Sequence, residues 1–526
     1  MQNVLSLALS MIICVSSQTT PKVLLISFDG FRSDLLNETL VPNIYKWAKQ
    51  STWFTKGSQP TYFTYTAPNH MGIVTGLYQE SHGIVSNYFY DEKTKQIFDY
   101  FNYTRSANET SRNSSWYHGE PIWLTNEKAG TSRHSAVLDW PMNDVSYPSE
   151  PHVPTIARAW NVNRNYSQLL EDSEEVVRLF TKSDKPSNFV AWYIAEPDQT
   201  LHKNGFNNGK LAKTLEKLDI IFEHLLKTLE KSSIRDEVNI ILTSDHGHAE
   251  IVDYKHIMCL KDYLHGDGFV ATDHMIYAKN EAIAEEIFLN LTTAVKNNAF
   301  EVELYRKKDL DENLHYKNSD KVGSIILEPA VGSSISFSCT ADQLEKTYGP
   351  NGIMRFNASS HGMHPSNPEM RAILVMNGPS FHSNFKINEV PENIDLYPLL
   401  CKLLNLTPKP NNGSLDVIGK SLKAEESTNS FSVDIPREIN YSVLADNIGF
   451  FIFIVPPTLL VLAFLAYGCK HTIMKNDPEW ARASGGYRPL FTEGNDLLPS
   501  HNTQLGNESV TMSGLLAAED SSEDEL

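Results

Sequence analysis

"KVLLISFDG", Lys22 to Gly30, runs almost unbroken in apolar residues and then stops on Asp29 and Gly30. A short continuous apolar run bounded by turn residues reads as a strand buried on both faces, as in a parallel sheet. Three more stretches have the same design. "NFVAWYIAEPDQTLH" leads to Asp198 and His202, "VNIILTSDHGH" to Asp245 and His246, and "RAILVMNGPSF" (Arg371 to Phe381) follows His361 closely. Between them lie helical patterns such as "KLAKTLEKLDIIFEHLLKTLEK", Lys210 to Lys231. Strands alternating with helices predict an α/β fold with a mostly parallel central sheet. Ligands of such sheets bind beyond the carboxyl ends of the strands, where this chain carries acids and histidines.

An Asp after a strand is ordinarily a turn residue or a helix cap. Three Asp and three His at equivalent topological positions are a different matter, and resemble a two-metal hydrolase. The donors are nitrogen and oxygen with no thiolate, which suits zinc and leaves manganese open. "TYTAPNHMGIVTGLYQESHGIVSN", Thr64 to Asn87, adds a threonine at the lip of a short helix ending at Gly76. Thr66 there is either a helix N-cap or a nucleophile, placed where backbone N–H groups and the helix dipole favour an anion.

The rest of the chain gives an address. The first seventeen residues, "MQNVLSLALSMIICVSS", read as a signal peptide, although a basic leading segment is missing. "IGFFIFIVPPTLLVLAFLAYG", Ile448 to Gly468, matches the about 20 apolar residues of a membrane span. Lys470, His471 and Lys475 follow it and place that side in the cytoplasm. The expectation is a single-pass type I protein of the plasma membrane. Its parts are a signal peptide (1–17), a catalytic ectodomain (18–422) with an inserted α+β subdomain at about 250–360, a stalk (423–447), a transmembrane helix (448–468) and a cytoplasmic tail (469–526).

N-glycosylation sequons at Asn37, Asn102, Asn108, Asn113, Asn165, Asn290, Asn357, Asn405, Asn412 and Asn440 all fall on the expected outer side. Of five cysteines, Cys14 lies in the signal segment, Cys469 at the inner membrane edge is a palmitoylation candidate, and Cys401 sits in an apolar helical pattern. Cys259 and Cys339 remain as the expected disulfide. The tail carries "YRPL" (Tyr487 to Leu490) and "EGNDLL" (Glu493 to Leu498), which look like clathrin-adaptor sorting signals and imply cycling through endosomes. A formal net charge of −19 with no basic stripe argues against a nucleic-acid surface.

The segments "SFDGFR", "TAPNHMGIVTGLYQESHGIVSN", "GEPIW", "EPDQTLHKNG", "TSDHGH", "VELYRKKDLDENLHYKNSDKVGSIILEPAVG" and "HGMHPSNPEMRAILVMNGPSF" together carry a family resemblance. The chain resembles the ecto-nucleotide pyrophosphatase/phosphodiesterase family of the alkaline phosphatase superfamily, most of all its short, membrane-anchored members. The resemblance spans about Lys22 to Leu406. It implies two Zn2+ ions, one held by Asp198, His202 and His361, the other by Asp29, Asp245, His246 and the hydroxyl of Thr66. It also implies that Thr66 is the nucleophile as well as the cap, that Asn87 holds phosphate, and that Trp140 lies near the base pocket.

Three departures leave the leaving-group pocket open. Ala67 stands where nucleotide-cleaving relatives carry an aromatic, Met142 replaces the glycine of a Trp-Pro-Gly turn, and His248 replaces a methionine as a spare ligand or a neighbour. The expected activity is hydrolysis of extracellular nucleotides or dinucleotides, small-molecule phosphodiesters, to a nucleoside monophosphate. The alternatives are a choline phosphodiesterase and a non-catalytic adhesion or signalling protein.

Overall fold

A computed structural model describes residues 20–424, apart from 102–110, 146, 148–153, 183, 208, 253, 338 and 349–358. The signal segment, the stalk from residue 425, the apolar segment and the tail lie outside the described residues, as do Asn102, Asn108, Asn357 and Asn440. Among the described residues no helix is long and apolar enough to cross a membrane.

An eight-stranded sheet organises the chain. Its spatial order is Phe385–Ile387, Thr52–Phe54, Leu374–Asn377, Val238–Thr243, Lys22–Phe28, Phe189–Ile194, Ser135–Leu138 and Ile156–Arg158. Lys22–Phe28 lies at the centre, paired in parallel with Val238–Thr243 on one side and Phe189–Ile194 on the other. Its side chains explain the continuous apolar run. Val23 and Leu25 enter the core on one face of the sheet, and Leu24, Ile26 and Phe28 enter the core on the other, so neither face tolerates a polar alternation. The helix Lys210–Lys231 covers the second face with Leu211, Leu215, Leu218, Phe222, Leu225 and Leu229, all buried.

One of the four apolar runs departs from the parallel expectation. Leu374–Asn377 pairs antiparallel with both of its neighbours, Val238–Thr243 and Thr52–Phe54. A buried run reads the same in either direction, because apolar periodicity carries no polarity. The reversal explains why His361 precedes its strand while the other acids and histidines follow theirs. The start of a reversed strand lies at the same sheet edge as the ends of the others.

A second, antiparallel sheet of four strands lies between 269 and 329, in the order Phe269–Ala271, Met275–Ala278, Ile325–Pro329 and Val302–Arg306. The helix Glu281–Asn298 closes it through Ile287, Leu291 and Ala294. Cys259 and Cys339 are joined by a disulfide, and Cys401 is a buried free thiol.

Candidate metal centre

The central strands deliver two carboxylates side by side. Ser27 is in register with Thr243, so Asp29 and Asp245 leave adjacent strands at one edge. Asp29 is 2 % exposed and Asp245 and His246 are fully buried. Gly30 makes this edge possible: its φ is +66°, and a Cβ there would stand 2.9 Å from the Asp198 Cβ. The Gly30 N–H donates to Asp245 Oδ1 at 3.2 Å, and the Tyr193 hydroxyl donates to Asp29 Oδ2 at 2.5 Å.

The strand Phe189–Ile194 leads instead into the helix Asp198–Asn204. One helical turn then places the His202 Nε2 3.4 Å from Asp198 Oδ1. His361 follows the short strand Ser359–Ser360, which pairs with Ala249–Glu250. Its Nε2 lies 3.1 Å from His202 Nε2 and 3.6 Å from Asp198 Oδ1.

The histidine tautomers can be read from their partners. His361 Nδ1 faces the Thr64 carbonyl at 2.8 Å, and His246 Nδ1 faces the Gly247 carbonyl at 3.0 Å. A carbonyl only accepts, so both Nδ1 atoms carry the proton and both Nε2 atoms present lone pairs to the centre. His246 Nε2 lies 3.0 Å from Asp245 Oδ2, 3.6 Å from Asp29 Oδ1 and 3.4 Å from Thr66 Oγ. Asp29 Oδ1 and Asp245 Oδ2 are buried without a hydrogen bond among the described residues. Buried lone pairs converging with nothing between them cost free energy unless a cation joins them. The donor set therefore fits a metal, and its nitrogen and oxygen chemistry fits a divalent transition metal.

Burial and the neighbouring charges shift these groups in different directions. Burial raises the Asp29 carboxyl well above the usual range, and the Asp245 and Asp198 charges raise it further. Burial also pushes Asp198 up, but His202 and His248 outweigh it and hold that carboxyl well below the ordinary value. Burial, followed by the neighbouring His246, lowers His361 well below the ordinary imidazole range.

Thr66 is placed differently from the expectation in one respect. It is the first residue of the helix Thr66–Thr75, and the N-cap is Tyr65, in an extended conformation (φ −111°, ψ 156°) and making no side-chain cap bond. The cap comes from outside the helix: Asn87 Oδ1 accepts the Ala67 N–H at 2.8 Å. The Thr66 hydroxyl is thus released from capping and faces His246. Gly76 ends the helix in the left-handed conformation, φ 68°, as the sequence predicts.

One residue comes to the site without having been singled out. His70 lies one turn after Thr66 on the same helix face, with its Nδ1 3.4 Å from Asp245 Oδ2. Both its nitrogens have partners, Ser27 Oγ and the Thr66 carbonyl, each at 2.9 Å. It therefore supports the helix against the sheet. Its i+4 spacing from Thr66 was the available signal. Trp140 is fully buried and stands edge-on to His70, with ring centroids 5.0 Å apart. Met142 has φ 63°, the left-handed conformation that a glycine adopts without strain. Ala67 is fully buried, whereas Tyr65 is only partly buried and stands edge-on to His361 at 5.1 Å.

Comparison with known proteins agrees with this geometry. Residues 23–366 match the family model described as type I phosphodiesterase / nucleotide pyrophosphatase. The bis(5'-adenosyl)-triphosphatase enpp4 of Xenopus laevis is 31% identical over 401 residues, covering 76% of this chain and 81% of that one. Human ectonucleotide pyrophosphatase/phosphodiesterase family member 5 is 29% identical over 469 residues, covering 87% and 91%. Among solved structures, an inactive threonine-to-alanine form of murine ectonucleotide pyrophosphatase/phosphodiesterase 5 in complex with AMP matches with a TM-score of 0.66. It is 28% identical, with 77% of this chain and 100% of that one covered. With its sheet, its buried donor cluster and this extent of likeness, the chain belongs to the type I phosphodiesterase / nucleotide pyrophosphatase family, within the alkaline phosphatase superfamily.

Proposed function

We infer that the chain hydrolyses nucleotide phosphodiester or pyrophosphate bonds, with dinucleotides as the preferred class, using Thr66 as nucleophile. The observation that carries this reading is the Thr66 hydroxyl, on the first turn of its helix and 3.4 Å from His246 Nε2. It is free of any capping duty and faces the donor cluster. The names of the relatives, a bis(5'-adenosyl)-triphosphatase among them, support the substrate class.

Two zinc ions are the proposed complement, one on Asp198, His202 and His361, the other on Asp29, Asp245, His246 and Thr66. Bound there, they supply the positive charge that lowers the pKa of a threonine hydroxyl and stabilises the oxygens of an in-line displacement. Thr66 Oγ attacks phosphorus and the alcohol or phosphate opposite it leaves with the bonding pair. This makes a nucleotidyl ester on Thr66, which water then cleaves to regenerate the hydroxyl and release a nucleoside monophosphate. The dipole of the helix Thr66–Thr75 favours the anionic phosphoryl group. With Oδ1 spent on the Ala67 N–H, Asn87 has its amide NH2 group to offer a phosphate oxygen.

The choline-phosphodiester alternative rested on the small residue at 67. Ala67 is fully buried, as Asp245 and His246 are. Tyr65 supplies a ring beside His361 instead, which favours a base-bearing substrate. Hydrolysis of p-nitrophenyl-TMP and of p-nitrophenylphosphorylcholine by the purified protein tests this. Preference for the first is expected, and preference for the second overturns the substrate class.

The address is proposed on sequence grounds. Signal peptide, anchor and ten sequons make an extracellular catalytic domain on a single-pass type I plasma-membrane protein. None of the sequon asparagines that are described is buried. The tail motifs make clathrin adaptors its cytosolic partners. Replacing Leu497 and Leu498 by Ala should slow uptake in a surface-biotinylation chase and leave specific activity unchanged. Unchanged uptake removes the adaptor from the account.

A further inference from the structure

The fold gathers three cations at the sheet edge that carries the donor cluster, but to one side of it. Ala372, at the entry to the reversed strand, exchanges both backbone hydrogen bonds with Ser58, at 2.9 and 3.0 Å, and bridges to Arg32. The Arg371 carbonyl accepts the Ser33 N–H at 2.9 Å. These ties bring Arg32, Lys56 and Arg371 around one pocket of about 250 Å³, which Ser33, Asp34 and Glu369 also line. Neither Thr66 nor any of the expected metal ligands lines it.

The three cations are not in the same state. Arg32 is fully engaged: its Nε and Nη2 donate to the two oxygens of Asp34 at 2.6 and 2.9 Å, and its Nη1 donates to the His248 carbonyl at 2.8 Å. Arg371 has no such match. Its Nε is closed off from solvent and makes no hydrogen bond, and among the described residues no carboxylate pairs with its guanidinium. Lys56 is exposed and is likewise without an acid among the described residues. Asp34 is spent on Arg32, which leaves Glu369 as the remaining acid of the lining. An enclosed N–H without an acceptor costs free energy, and unmatched cations around one pocket repel each other. In a chain of formal net charge −19 this convergence is not part of a generally basic surface.

We propose that the pocket binds a tetrahedral oxyanion, the phosphate or sulfate group of an ester, through the Arg371 guanidinium and the Lys56 ammonium. A planar guanidinium offers parallel N–H groups that match two oxygens of such an anion, and a lysine adds a point charge. The Ser33 hydroxyl supplies a further donor, and the Arg32–Asp34 pair forms a neutral wall. Arg32 holds the His248 carbonyl, and the Gly247 N–H donates to the Met370 carbonyl at 2.8 Å. The anion is therefore held behind the loop that follows Asp245 and His246. This site lies beyond the nucleotide-hydrolysis reading and does not rest on it.

The test is calorimetric titration of sodium sulfate into the purified full chain, at about 0.1 M chloride to screen scattered surface charges. Arg371→Met should weaken sulfate binding about tenfold or more, since it removes charge-assisted hydrogen bonds. Lys56→Met should weaken it less, and because Lys56 is exposed that variant folds whatever Arg371 does for stability. Glu369→Gln removes the one unmatched negative charge and should tighten binding. Sulfate held at the metal centre is common to all these proteins, so the differences report the pocket. Titrating AMP and a sulfated disaccharide in the same way separates the two sources of the group: the ligand that loses more affinity in Arg371→Met is the one the pocket takes. Hydrolysis of p-nitrophenyl-TMP by Arg371→Met should match the parent, so the anion site and the nucleotide reading stand or fall separately. A parent that binds no sulfate, or sulfate binding left unchanged by both Arg371→Met and Lys56→Met, overturns the proposal.

Discussion

The two halves of the donor cluster are built in opposite ways. Asp29, Asp245 and His246 leave adjacent central strands and are almost wholly shut off from solvent. Asp198 and His202 sit on a short helix, His361 follows a two-residue strand, and the His202 side chain is 30% exposed. The inner half is part of the sheet, so its geometry is bound up with folding. The outer half is assembled by connecting segments, the usual home of adjustable functional residues. The Thr66 hydroxyl lies on the inner side, 3.4 Å from His246 Nε2.

The sharpest way to break this division is at Thr66. Thr66→Ala should lower turnover on the order of 10³-fold or more, as removal of a nucleophile does. Because its hydroxyl makes no cap bond, the melting temperature should stay within about 2 °C of the parent, a shift worth under about 1 kcal/mol. Thr66→Ser should retain measurable turnover. A melting temperature that falls steeply would return Thr66 to a structural role.

Next come matched losses from the two halves. His202→Ala should weaken one metal by about 10-fold or more in a chelator titration and leave the metal-free protein as stable as the parent. Asp245→Ala should do more. It strips the Gly30 N–H of its buried acceptor, costing about 1–3 kcal/mol for a group left unsatisfied. Urea unfolding of the metal-free variants compares them. Equal midpoints would erase the distinction between the halves.

The smaller effects lie at the substrate side. Tyr65→Ala should raise KM for a nucleotide substrate, since base–aromatic stacking is worth roughly 1–3 kcal/mol, or about five- to 150-fold. Ala67→Phe should not improve nucleotide binding. It should lower stability by about 1–3 kcal/mol, because an extra ring has to enter a packed core. Steady-state kinetics of both variants on p-nitrophenyl-TMP, together with their melting curves, check the pair. Improved nucleotide binding in Ala67→Phe would show that position 67 faces the ligand.

The same contrast explains what could be read from the sequence. Asp29 and Asp245 were legible because strands buried on both faces write themselves as unbroken apolar runs, and whatever ends such a run stands at the sheet edge. The direction of Leu374–Asn377 was not legible, since its run is the same read backwards. The cap was misplaced by one residue. Asn87 supplies it from twenty positions away, and no local pattern announces a partner that distant. The turn at Met142 was legible only as a departure: the residue stands where the resemblance expects a glycine, and its φ of 63° keeps the left-handed conformation a glycine would take.

The central claim is that the lone pairs converging from both halves hold metal and that hydrolysis depends on it. Elemental analysis of purified full-length protein, run beside hydrolysis of p-nitrophenyl-TMP, addresses it directly. The account predicts about two zinc ions per chain, loss of hydrolysis on exhaustive chelation, and recovery when zinc is restored. Active protein that carries no transition metal, or activity that survives chelation undiminished, would contradict it.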